Sequence, residues 1–138
     1  MAEAYRLVKE EGDRRREHLV PLRDQIIDHI LDEIPDSQLT GAASENRLPN
    51  HTSFVFKDLD GNLLVQVLDS EGFACSSGSA CKTGDPKPSS VLTHLGFSQD
   101  WSLGSLRVTL GKDTISDDVD RFLDILPECI QRVREVSG

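Results

Sequence analysis

One apolar stripe constrains this chain more than any other feature. Leu19, Leu22, Ile26, Ile27, Ile30, Leu31 and Ile34 recur at three- and four-residue steps, which is one face of a helix. A face that wide must be covered, and the segments able to cover it are short and strand-like. Thr52 to Lys57 (TSFVFK) is β-branched and aromatic, and Ser105 to Leu110 (SLRVTL) alternates and ends at Gly111. A second stripe, Val119, Phe122, Leu123, Leu126, Ile130 and Val133, predicts a terminal helix bent at Pro127, with Thr114 as its cap.

Between these anchors the pattern is weaker. The first helix runs from Ala4 to Ile34, with Gly12 and Pro21 weakening it and a kink or break expected at Pro21. A short strand is expected around Leu39 to Ala42 and another at Phe73 to Cys75. Helical spacing covers Leu63 to Leu68 and Leu92 to Leu95, stopped by Gly72 and Gly96. The order α-β-β-α-β-α-β-α predicts an α/β fold, a small mostly antiparallel sheet with helices packed on one face. Residues 1–34 read as a helical lead-in, and 35–138 as a small α/β domain.

Composition narrows the functional classes. The 138 residues carry 15 basic and 24 acidic side chains, a net charge of −9. The excess is even: 7 basic against 11 acidic groups in the first fifty residues, then 8 against 13. No basic patch emerges, so nucleic acid is not expected as a partner, because phosphate neutralisation needs clustered Lys and Arg. No apolar run is long enough for a membrane span, and the N-terminus is too charged for a secretory signal. Three cysteines, an odd number, fit a reduced cytoplasmic protein better than a disulfide framework.

Cys81 is the first candidate for chemistry. It sits in SSGSACKTG, too polar and glycine-rich to be core, beside Lys82, and a nearby cation favours the nucleophilic thiolate. An incidental loop cysteine is the plainer alternative. Cys75 and Cys129 lie on apolar steps and read as small buried hydrophobes. Arg107 falls on the opposite face of its strand from Leu106 and Val108: either an edge arginine facing solvent, or a fork for a carboxylate. His51 and His94 have no partner at useful spacing. A zinc site from Cys75, Cys81, His51 and His94 is not expected, since the cysteines lack the usual tight pairing.

Three segments together carry a resemblance. RLPNHTSFVF, SSGSACKTGDPKPSSVLTHLG and SLRVTLGKDTISDDVD resemble the C-terminal small domain of the cysteine desulfurases, in the class V aminotransferase family. The likeness runs from about Arg6 to Val136 and points to the subgroup with the longer catalytic loop. It implies the small domain of a fold-type I pyridoxal-phosphate enzyme. It makes Cys81 the persulfide carrier, able at most to act as a transient iron–sulfur ligand, with no resident metal. It makes Arg107 the residue that binds the α-carboxylate of L-cysteine. Cys75 departs from the aliphatic residue usual there.

The resemblance also implies a large domain preceding this segment, holding pyridoxal phosphate through a lysine, a ring-stacking histidine and an aspartate. None of this chain's five lysines has the family's Ser-His-Lys setting, so no cofactor-binding residue is expected here and the chain alone is not expected to turn over. The implied partners are that large domain or half, a second copy in a homodimer, and a sulfur acceptor such as an iron–sulfur scaffold. Gly78 and Gly84 are the expected hinges of a delivery loop. About ten residues at roughly 3.3 Å each would reach about 30 Å. The alternative is a non-catalytic sulfur-relay or interaction module derived from the family.

Overall fold

A computed structural model of the chain describes residues 1–78 and 88–137. Helix α1 (Ala2–Glu33) is followed by strand β1 (Ser37–Leu39), a short 3-10 turn (Ser44–Asn46) and strand β2 (His51–Phe56). Then come helices α2 (Gly61–Ser70), α3 (Ser90–His94) and α4 (Gln99–Ser102), strand β3 (Ser105–Thr109) and helix α5 (Ser116–Ser137). The strands form one antiparallel sheet in the order β1-β2-β3. The expected mixed α/β fold is the observed one.

Alternation along the strands divides the sheet into two faces. Thr52, Phe54 and Phe56 of β2 and Leu106 and Val108 of β3 are buried on the face covered by helices. Against them lies the α1 stripe, Leu19, Leu22, Ile26, Ile27, Ile30 and Ile34, joined by Leu64 and Leu68 of α2 and the α5 stripe. Cys129 belongs to this core. At about 1.5–3 kcal/mol for each fully buried large side chain, this one cluster supplies the main driving force.

That energy explains why α1 does not break at Pro21 but continues as one helix through it. Proline costs roughly 3 kcal/mol in a helix interior through its missing N–H and its clash with the preceding turn. Leu19 and Leu22 are both buried on either side of it, and Pro21 itself is exposed. Two buried leucines offset one lost hydrogen bond. Pro127 is likewise inside an uninterrupted α5.

Other local expectations are corrected by hydrogen bonding. Asp60 caps the start of α2, where no cap was assigned from sequence: its carboxylate accepts from the N–H groups of Asn62 (2.9 Å) and Leu63 (3.1 Å). Thr114 does not cap α5; its hydroxyl accepts from the Gly111 N–H at 3.0 Å, and the Asp118 carboxylate accepts from Ile115 N–H at 3.1 Å. The strand expected at Leu39 to Ala42 forms two residues earlier. Instead of a strand at Phe73 to Cys75, a single bridge forms at Ser76. The one-turn α4 had no sequence signal, being too short to show a stripe. Gly104 follows it because β2 passes close by: a Cβ there would lie 2.0 Å from the Phe56 carbonyl oxygen.

Candidate active site

The sheet face turned away from the long helices carries the polar side chains. His51 and Ser53 of β2 and Ser105, Arg107 and Thr109 of β3 alternate onto it, with Ser53 opposite Arg107 and His51 opposite Thr109. A cavity of about 410 Å³ opens there, with Arg47, His51, Ser53, Gly78, Ser105 and Arg107 in its wall. Among the described residues no carboxylate lines it, although the whole chain carries a net charge of −9.

Arg107 is exposed on β3, an edge strand of the sheet. Its guanidinium makes no hydrogen bond or ion pair to any described residue. Its backbone is engaged twice: the Arg107 N–H donates to the Ser76 carbonyl at 2.7 Å, and the Ser76 N–H donates back at 3.1 Å. Two residues on, the Gly78 N–H donates to Ser105 Oγ at 2.7 Å. A Cβ on Gly78 would sit 2.8 Å from that same oxygen, so glycine is required for this close approach. The segment leading toward Cys81 is thus stitched to the strand that carries Arg107. Cys81 and Gly84 themselves lie outside the described residues.

Arg47 organises the opposite wall. Its Nε donates to the Ala42 carbonyl at 2.9 Å, one terminal nitrogen donates to the Thr40 carbonyl, and the other lies 3.4 Å from His51 Nδ1. The turn it ties down includes Gly41 at φ +80°, a conformation that side chains resist. Below it, buried Arg23 of α1 donates to the carbonyls of Arg47 and Leu48, both at 3.2 Å, and pairs with Asp24 at 2.7 Å. Burial, then repulsion from Arg23, lowers the pKa of Arg47; at neutral pH it stays charged. Burial, then the charges of Arg47 and Arg107, lowers the pKa of His51.

His51 therefore has the partner that sequence spacing did not offer. The signal was present in RLPNH, where a turn brings residues four apart together without a helix. His94 stands at the end of α3, its Nδ1 2.6 Å from the Ser90 carbonyl. Cys75 is half-buried against the core, and burial pushes its thiol pKa up to about 11. Cys129 is buried and also raised, first by burial and then by Glu71. No three described His, Cys, Asp or Glu residues are grouped to hold a metal ion. No described helix is long and apolar enough to cross a membrane.

Residues 1–122 match the class V aminotransferase family. The chain belongs to that family. It is 36% identical over 137 residues to an IscS-like cysteine desulfurase of Mycobacterium tuberculosis, covering 99% of this chain and 35% of the relative. The cysteine desulfurase IscS 1 of Archaeoglobus fulgidus is 41% identical over 116 residues, covering 84% of this chain and 30% of that one. A solved NifS-like protein superposes with a TM-score of 0.78 at 23% identity, over 95% of this chain and 32% of its own. Another, from Rickettsia africae, gives 0.74 at 21% identity, over 91% and 31%. This chain spans about a third of the length of these relatives.

Class V aminotransferases are, as a family, pyridoxal-phosphate proteins. The cavity fits a carboxylate but not the covalent attachment of that cofactor: of the described lysines, Lys9, Lys57 and Lys112, none lines it.

Proposed function

We propose that this chain is the C-terminal, sulfur-handling portion of a cysteine desulfurase. In this reading Cys81 takes the sulfur of L-cysteine as a persulfide and later passes it to an acceptor such as an iron–sulfur scaffold. Arg107 grips the α-carboxylate of the substrate. Its planar guanidinium offers a bidentate fork that lysine cannot reproduce. Residues 1–34 would be the lead-in from a large domain that holds pyridoxal phosphate and supplies its electron-withdrawing chemistry when bound.

The observation that carries this reading is the pairing of Ser76 with Arg107. One residue offers to a carboxylate a guanidinium that has no hydrogen-bond partner among the described residues, and its backbone anchors the segment that leads to the thiol. Cys81 is five positions beyond Ser76, a tether of at most about 17 Å when extended. That is short enough to bring a thiol to a small amino acid held by Arg107.

The chemistry balances without an external oxidant. A bond forms between Cys81 Sγ and the substrate sulfur, the substrate Cβ–S bond breaks, and the carbon fragment leaves as alanine. L-cysteine plus a thiol becomes alanine plus a persulfide.

The test supplies a relative's large cofactor domain in trans and follows alanine release. Arg107→Ala should lower kcat/KM about a hundredfold through lost orientation, and Arg107→Lys should restore little of it. Cys81→Ser should abolish persulfide while leaving the fold intact. Unchanged kcat/KM in Arg107→Ala would refute the assignment of the fork.

A further inference from the structure

The cavity holds a second feature that the sulfur chemistry does not use. Arg47 commits two arms to the carbonyls of Ala42 and Thr40 and turns the third toward His51 Nδ1. A guanidinium can only donate, so the facing ring nitrogen must be the acceptor, and Nδ1 carries no proton. The proton of the neutral ring then sits on Nε2, which has no hydrogen-bond partner among the described residues.

We propose that Arg47 holds His51 as its neutral Nε2–H tautomer, and that this N–H is a second donor to the carboxylate gripped by Arg107. Arg47 is the positioning residue and His51 the one that touches the ligand. The inference rests on the assignment of Arg107 as the carboxylate fork and adds to it a determinant of which small acids fit.

Charge explains why the imidazole serves better neutral than protonated. The charged groups facing it are Arg47 from the turn after β1 and Arg107 from β3. β1, the segment Thr40 to Ala42 and the lining residues of α3, Val91 and Leu92, contribute no titratable group to the wall. Arg23, behind Arg47, is already paired with Asp24. A third positive charge would be repelled by two guanidiniums, with no carboxylate among the described residues that line the cavity. It would also have to surrender the bond from Arg47, since a protonated ring has no lone pair to offer. Depression of the His51 pKa by burial and by both arginines agrees with this arrangement.

A neutral donor also suits the ligand. Arg107 alone balances the single negative charge of an amino-acid carboxylate, and Arg47 is occupied by backbone carbonyls. A neutral N–H adds direction without adding charge. The favoured ligand is then a small zwitterionic amino acid, and an amide lacking the carboxylate is rejected.

The experiment uses the 138-residue chain and nuclear magnetic resonance of its imidazole and arginine side chains, with L-alanine as the probe and L-alaninamide as the control. His51 is assigned by its loss in His51→Gln. Without ligand, the ring nitrogen shifts should report one neutral tautomer protonated at Nε2, titrating below the ordinary histidine range. Arg47→Met should give a mixture of tautomers and a titration nearer the ordinary range, with the remaining amide spectrum retained. A mixed tautomer in the unsubstituted chain would overturn the role of Arg47.

L-alanine should move the Arg107 Nε–H and His51 signals together, and L-alaninamide should move neither. His51→Phe should weaken L-alanine binding about tenfold, the worth of one hydrogen bond to a charged group at the lower end. His51→Gln, whose amide can still donate, should recover most of it. A response at Arg107 with none at His51 overturns this proposal and leaves the fork standing. No response at either overturns both.

Discussion

Each of the three cysteines is defined by what surrounds its sulfur. Cys129 sits in the core and Cys75 packs against it, and burial raises both thiols, Cys75 to about 11. At pH 8 the thiolate fraction of Cys75 is about a thousandth, since each unit above ambient pH costs tenfold. Cys81 has a glycine-rich polar setting and a neighbouring lysine in sequence. Brief alkylation of the folded chain, mapped by mass spectrometry, should therefore label Cys81 well ahead of the other two. Preferential labelling of Cys75 or Cys129 would contradict it. The same logic gives His51 a stability signature. Its folded pKa lies below the unfolded value of 6.5, so the unfolded chain binds more protons between the two values. The contribution is complete above pH 6.5 and is lost as pH falls toward the folded pKa. His51→Phe should flatten that part of the stability–pH curve, measured by urea unfolding at several pH values.

At the scale of elements, the informative cases are those where local preference and tertiary packing disagree. Pro21 is a helix breaker by its own chemistry, yet α1 runs unbroken from Ala2 to Glu33. Its ring faces solvent, so replacing it loses no packing. Pro21→Ala should restore an i→i−4 bond and stabilise the fold by about 2 kcal/mol, somewhat less than the full helix penalty because proline also restricts the unfolded chain. A urea titration should show a higher midpoint at an unchanged slope. A lower midpoint would mean that the proline is needed for the path of the helix. Ser76 shows the reverse case. Phe73 to Cys75 has strand-like composition, but the pairing that forms is one bridge, at Ser76, where β3 leaves an edge open. Strand formation needs a partner row as well as suitable side chains.

For the whole molecule, the division of labour follows from the two faces of one small sheet. The helix-covered face spends its side chains on a core, and the other face is left with His51, Ser53 and Arg107 around a cavity that no described carboxylate lines. The described lysines stand apart from it: Lys9 on α1, Lys57 after β2 and Lys112 after β3. Incubation of the chain with pyridoxal phosphate followed by borohydride should therefore leave no saturable adduct on a single lysine. Stoichiometric labelling of one lysine, found by peptide mapping, would overturn that expectation.

The sequence alone determined the parts whose causes are local. Three-and-four spacing located α1 and α5, alternation located β2 and β3, and it put Arg107 on the face away from Leu106 and Val108. Runs such as SSGSAC and SLRVTLG carried the family likeness. Tertiary structure decided whatever depends on residues distant along the chain. Whether α1 survives Pro21 turned on the burial of leucines against a sheet formed later in the sequence. Whether His51 is a surface group or half of a pair turned on a turn held down by Arg47 and, through its carbonyl, by Arg23 of α1. Periodicity records which side of its own element a residue occupies. It carries no distance between elements, and electrostatic and hydrogen-bond energies depend on that distance.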